Sequence, residues 1–241
     1  MMYRVIMSIL ILINPVIQKP NHMNENVEKN KTFVVKRSAD FEVTGVGENK
    51  NWGLTEWITL RPWKISGKPL DTKVKVLYSK TGIYFLFNCE DRMLTATFNS
   101  DFEDLWMEDV VEVFLWPNEA KSFYFEYEIS PLNHELPILI SNENGDLVRW
   151  QPFHYDSDRR TRHKTSTQKN IVNSEIEGWI AEFFIPFKLL RPLENISPES
   201  GTRWRANMYR VDYDDGVSNW SWKLTDGSFH EYEKFGVFVF E

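Results

Sequence analysis

Strict alternation over residues 122–130 constrains this chain more than any other feature. In SFYFEYEIS, Phe123, Phe125, Tyr127 and Ile129 fall on one side of an extended backbone, and Tyr124, Glu126 and Glu128 on the other. A side-chain period of two belongs to a β-strand whose faces meet different surroundings. TKVKVLYS repeats it, with Val74, Val76 and Tyr78 opposite Lys73 and Lys75. DVVEVFLWP is apolar on both sides except for Glu112, as in a central strand covered on both faces. KTFVVKR, IYFLFNCE, IVNSEI, GWIAEFFIP, TRWRANMYRVD and KFGVFVFE read as further strands. SKTG and PNEAK supply turns, and Glu177-Gly178 predicts a two-residue hairpin.

Short strands at this spacing predict an all-β fold, an antiparallel β-sandwich with long loops and at most one short helix. That helix falls on PFKLLRPL, between Pro186 and Pro192. The long loops fall at 41–57, 91–108, 141–170 and 212–230. No linker divides residues 32–241, which read as one domain. Residues 1–31 differ in kind. Arg4, an apolar run from Val5 to Ile13 and then Asn14-Pro15 have the layout of a secretory leader. The run is too short for a stable membrane anchor, and QKPNHMNENVEKNK after it is a polar lead-in. The expectation is a secreted or periplasmic protein, or a cytoplasmic one if translation starts at Met23.

With 28 basic and 35 acidic residues the chain carries a formal charge of −7, which argues against nucleic acid as a partner. Its single cysteine, Cys89, excludes an internal disulfide and a Cys-rich zinc site, and its strand context makes it a small buried hydrophobe. Ten tryptophans are more than packing alone calls for. Trp116, Trp150, Trp179 and Trp204 sit in or beside strand patterns and are assigned to the core. Trp106 stands apart, in DFEDLWMEDVVEVFLWP, beside Asp101, Glu103, Asp104, Glu108 and Asp109.

That stretch, followed by GWIAEFFIPFKLL, WRANMYRVDYDDG and FHEYEKFGVFVFE, resembles the family 9 carbohydrate-binding modules, chiefly their single-domain bacterial relatives. With TKVKVLYSKTGIYFLF the likeness covers roughly residues 33 to 241. It implies a β-sandwich that holds a sugar between two aromatic side chains, often with structural calcium. Under the resemblance Trp106 is one wall and Glu112 the acidic sugar contact. SNWSW then supplies Asn219 as amide contact and Trp222 as the second wall, with Trp220 able to exchange roles with Trp222. Elementary chemistry agrees. An indole covers the C–H face of a pyranose, and a carboxylate and an amide bond its hydroxyl rim.

Alternatives stay open at this point. Trp106 could close over the core, and Glu112 could pair with Arg205 or Arg210. Arg210 belongs either to that ion-pair network or to the site. Asp212, Asp214 and Asp215 are candidate ligands for a structural calcium, although no cofactor is required. The expected function is non-catalytic binding of a carbohydrate, supporting extracellular polysaccharide breakdown beside a degrading enzyme system. The alternatives are a glycoside hydrolase using Glu112 with Asp109 or Asp212, a haem domain drawing on His134, His154, His163 or His230, and a protein-interaction domain.

Overall fold

The computed structural model describes residues 32–68, 70–153, 155–170 and 175–241. The expected leader, lead-in and Met23 start lie outside them. Two open sheets face each other. The first runs in the order Gly236–Phe240 (β14), Arg203–Asp212 (β12), Val110–Trp116 (β6), Phe123–Ile129 (β7), Glu135–Glu143 (β8) and Asp146–Pro152 (β9). Ser218–Ser221 (β13) also pairs with β12 and carries Arg61–Lys64 (β3). The second runs in the order Arg162–Lys169 (β10), Ile176–Pro186 (β11), Gly82–Glu90 (β5) and Thr72–Tyr78 (β4), with Ile58–Thr59 (β2) on β4. Thr32–Arg37 (β1) joins them. Thr32–Val35 pair with β14, and Lys36 and Arg37 pair with β4. The fold is therefore the expected β-sandwich. Pairing is antiparallel except at β1, which runs parallel to both its partners.

The alternation read from the sequence decides which residues meet between the sheets. Val111, Val113 and Leu115 of β6, Phe125, Tyr127 and Ile129 of β7, and Ala206 and Met208 of β12 point inward. They pack on Phe85, Phe87, Trp179 and Phe183 of the second sheet. Each of the larger side chains contributes about 1.5–3 kcal/mol by leaving water. Cys89 is buried and free there, as expected. Outward residues of the second sheet are roofed by the segment before β2, where Glu182 accepts Thr44 N (2.8 Å), Gly45 N (2.7 Å) and Trp52 Nε1 (2.8 Å).

Local expectations needed correction. Gly178 lies inside β11 opposite Glu90 and forms no hairpin; an added Cβ would meet the Cys89 carbonyl oxygen at 2.3 Å. The place is one of close backbone approach, which glycine alone tolerates. PFKLLRPL closes tight turns, with Leu189 N on the Pro186 carbonyl at 2.8 Å, and no α-helix occurs among the described residues. The span 141–170 contains β9 and β10 in place of one long loop. Every residue of β9 before Pro152 is exposed, so no apolar alternation announced it.

Candidate functional site

The acids that crowd residues 101–109 fasten a loop. Asp109 accepts Thr95 N (2.6 Å) and Tyr213 N (2.8 Å), Glu108 accepts Phe98 N (3.1 Å) and Asp101 accepts Glu135 N (3.1 Å). Charged acceptors hold backbone donors firmly, and the loop so fixed ends in a short 3₁₀ turn, Leu105–Met107. Tyr213 reinforces the turn by donating its hydroxyl to the Trp106 carbonyl at 3.0 Å. Trp106 is thereby set over the outer face of the first sheet, its ring 5.2 Å from that of Trp150 on β9 at 77°.

Beneath these rings lies a cavity of about 430 Å³, the size of a small-ligand site. Trp63 of β3, Trp106, Trp150 and Phe229 wall it, and Glu112, Glu126, Glu128 and Asn219 reach it from the sheet. Trp63 packs on Phe229 at 5.9 Å, and Phe229 stacks on Tyr209 at 4.1 Å. The sheet register brings the acids together. Glu112 of β6 stands directly opposite Glu128 of β7, and Phe114 opposite Glu126. Directly opposed side chains start roughly 5 Å apart at Cβ. All three acids are nearly inaccessible, at 2, 5 and 0% exposure for Glu112, Glu126 and Glu128.

Among the described residues the cavity lining includes no lysine or arginine. His230, whose ring nitrogen shares a 2.7 Å hydrogen bond with the Tyr124 hydroxyl, is driven by burial down to about 4 and is neutral at pH 7. Burial raises the acids in turn, Glu126 to about 8. Burial and the charge of Glu126 push Glu112 well above the usual carboxyl range. Burial and the charges of Glu112 and Glu126 do the same to Glu128. Glu126 and Glu128 share a hydrogen bond with each other, but one oxygen of Glu126 and both of Glu128 meet no donor from any other side chain or the backbone, and the indole nitrogen of Trp63 has no partner. Buried polar groups are rarely left so.

Of the residues expected from the sequence, the cavity brings together Trp106, Glu112 and Asn219. Trp222 is corrected. It is 7% exposed, packs between the sheets on Phe238 (5.3 Å) and Phe33 (6.4 Å), and does not line the cavity. Trp220 is corrected likewise, being 1% exposed on the inner side under the Arg210 guanidinium at 4.9 Å. Alternation explains both: a strand that turns Asn219 outward turns Trp220 inward, and an odd separation from Asn219 carries Trp222 the same way. Trp150 is the reverse case, a residue assigned to the core that stands at the cavity rim. Trp63, Glu126 and Glu128 were not singled out as site residues. The alternation of SFYFEYEIS already put both glutamates on one face, and nothing in the sequence alone said that this face was covered.

Arg210 also leaves the site. It projects inward to Asp91 (3.0 Å), Asp212 and the Glu90 carbonyl (2.6 Å), so it cannot serve Glu112 across the sheet. Arg205, the other expected partner, donates to the carbonyls of Phe235 (2.7 Å) and Glu233 (2.8 Å). Around Arg210, one ligand oxygen from each of Asp91, Asp212 and Asp214 lies within 4.8 Å of the others. Asp214 Oδ1 is buried without a hydrogen-bond partner. One guanidinium against three acids leaves negative charge in excess, and the all-oxygen donor set fits a hard cation such as calcium. Asp215 is outside this set. Its backbone carbonyl accepts the Ser66 hydroxyl.

Fold and cavity define an open β-sandwich with an aromatic-walled cavity on one outer face. Residues 43–241 match the family model described as carbohydrate family 9 binding domain-like, and the chain belongs to that family. Among solved structures it resembles a Bacteroides uniformis protein inferred to bind carbohydrate, with a TM-score of 0.66 at 16% identity, covering 88% of this chain and 99% of that one. It also resembles a family 9 carbohydrate-binding module of Caldicellulosiruptor kristjanssonii solved with cellotriose (TM-score 0.60, 17% identity, 88% and 94% covered). The same comparison holds with glucose bound (TM-score 0.60, 18% identity, 88% and 96% covered). These identities establish likeness of fold. No curated protein matches the sequence significantly.

Proposed function

We propose that this protein is a non-catalytic carbohydrate-binding module that takes a sugar terminus or short oligosaccharide into the cavity under Trp106. One observation carries the reading: indole rings of Trp63, Trp106 and Trp150 stand over a floor of carboxyl and amide groups. Apolar rings cover C–H faces, and the floor bonds hydroxyls. Family membership and the glucose and cellotriose bound by the Caldicellulosiruptor module support it. The clamp partner of Trp106 is then Trp150 or Trp63, since Trp222 is in the core. A glycan array, followed by titration of tryptophan fluorescence with cellotriose, tests the reading. Selective binding that disappears in Trp106→Ala is expected. An intact fold that binds no glycan would refute it.

Within this reading the module acts outside the cytoplasm beside polysaccharide-degrading enzymes. Calcium bound by Asp91, Asp212 and Asp214 would brace the loop that follows β12. A second reading has a specific observation behind it. The close Glu112–Glu128 pair with raised carboxyls is the kind of arrangement used in glycoside hydrolysis, whereas Asp109 and Asp212, the partners first considered, are engaged elsewhere. Turnover of an aryl glycoside that is lost in Glu112→Gln would favour that reading.

A further inference from the structure

The hydroxyls of a neutral sugar can donate to the three glutamates, but they bring no charge to offset that of carboxylates. Here Glu112, Glu126 and Glu128 share one floor, the last two meet no donor beyond each other, and the lining supplies no cation among the described residues. Three acids crowded away from water destabilise the fold whenever they ionise. Buried, mutually perturbed acids that line a cavity are candidates for a ligand site.

Resting on the carbohydrate reading, we propose that the ligand of this cavity is a sugar bearing a protonated amine, with its ammonium set among Glu112, Glu126 and Glu128. An ammonium brings N–H donors and one positive charge, the two things the carboxyls of this floor lack. The indole and phenyl walls add attraction for a cation, stronger where water is excluded. Water exclusion also sharpens the choice, because a buried carboxylate left unpaired is expensive. A bare metal ion fits less well. Among the described residues only Asp91, Asp212 and Asp214 bring three acid ligand atoms within 4.8 Å of one another. The glutamates hold no such close triad, so an ammonium would bond one or two of them directly and be drawn by the charge of the rest, between apolar walls. Binding would draw the carboxyls into their ionised form and release protons to the buffer.

The test compares three trisaccharides that share a β-1,4-linked glucose backbone: cellotriose, its 2-amino counterpart and the N-acetylated form of that amine. Titration calorimetry on the full chain at pH 6.5 reads affinity, and repeating it in buffers of different ionisation enthalpy reads proton release. The amine should bind at least about tenfold more tightly than either neutral sugar, with protons released. In Glu128→Gln, and in Glu126→Gln as the second variant, the preference should fall to within about threefold. Circular dichroism shows that each variant is folded. Equal or tighter binding of cellotriose would overturn the inference and leave the carbohydrate reading standing. Failure of all three sugars on a folded protein would overturn both. An amine preference surviving in the Glu126→Gln/Glu128→Gln double variant would come from the acidic surface and would also overturn the assignment.

Discussion

Replacing Glu126 by glutamine should make the protein more stable at alkaline pH, by an amount that grows with pH. Glu126 lies between Phe114 and Ile138 on neighbouring strands, with Glu112, Glu128, Tyr124, Tyr209 and His230 around it. None of these is a cation at neutral pH, and burial raises its carboxyl from an ordinary 4.5 to about 8. In the unfolded chain the group ionises above pH 4.5; in the native state it keeps its proton until about pH 8. Between those values the native state binds more protons, so stability falls as pH rises. At about 1.4 kcal/mol per pH unit the full interval corresponds to about 5 kcal/mol. Water entering through the cavity mouth relieves part of this, leaving about 2–3 kcal/mol. Distant acids such as Asp91 and Asp109 titrate alike in both proteins, so the variant-minus-native difference reports Glu126 together with Glu112 and Glu128, which its charge perturbs. Urea unfolding of both proteins at each pH from 5 to 9 measures that difference. It should climb by about 2–3 kcal/mol between pH 5 and pH 8. A flat difference, or one that falls with pH, would refute the picture of a neutral buried acid.

Trp150→Ala should weaken sugar binding about tenfold or more while shifting stability by under about 1 kcal/mol, because the residue is 41% exposed; titration and thermal melting check the two halves. Trp222→Ala should do the reverse, costing about 3–5 kcal/mol through the cavity left beside Phe33 and Phe238, with near-normal affinity in whatever fraction stays folded. Chelation should lower the melting temperature by several degrees if calcium sits on Asp91, Asp212 and Asp214; re-addition of calcium, and not of sodium, should restore it.

The alternation along SFYFEYEIS and TKVKVLYS was enough to give those strands and the division of their side chains between two faces, because period two is imposed by the backbone itself; the number of such short strands gave the sandwich class. The same rule placed Glu126 and Glu128 together on one face. The Trp106 turn and the Glu112 strand were legible in one continuous stretch and in the family likeness it carries. Other features depended on three-dimensional neighbours. The sequence holds no sign that Glu128 would stand opposite Glu112, since register between strands is a property of the pair. It does not show that Trp150, on an edge strand exposed up to Pro152, would meet Trp106, because the two lie 44 positions apart along the chain. Proximity in SNWSW suggested that Asn219 and Trp222 act together. The pleat put them on opposite faces, one at the ligand cavity and one in the core, because adjacent strand positions look in opposite directions and only the packed sandwich decides which direction is inside.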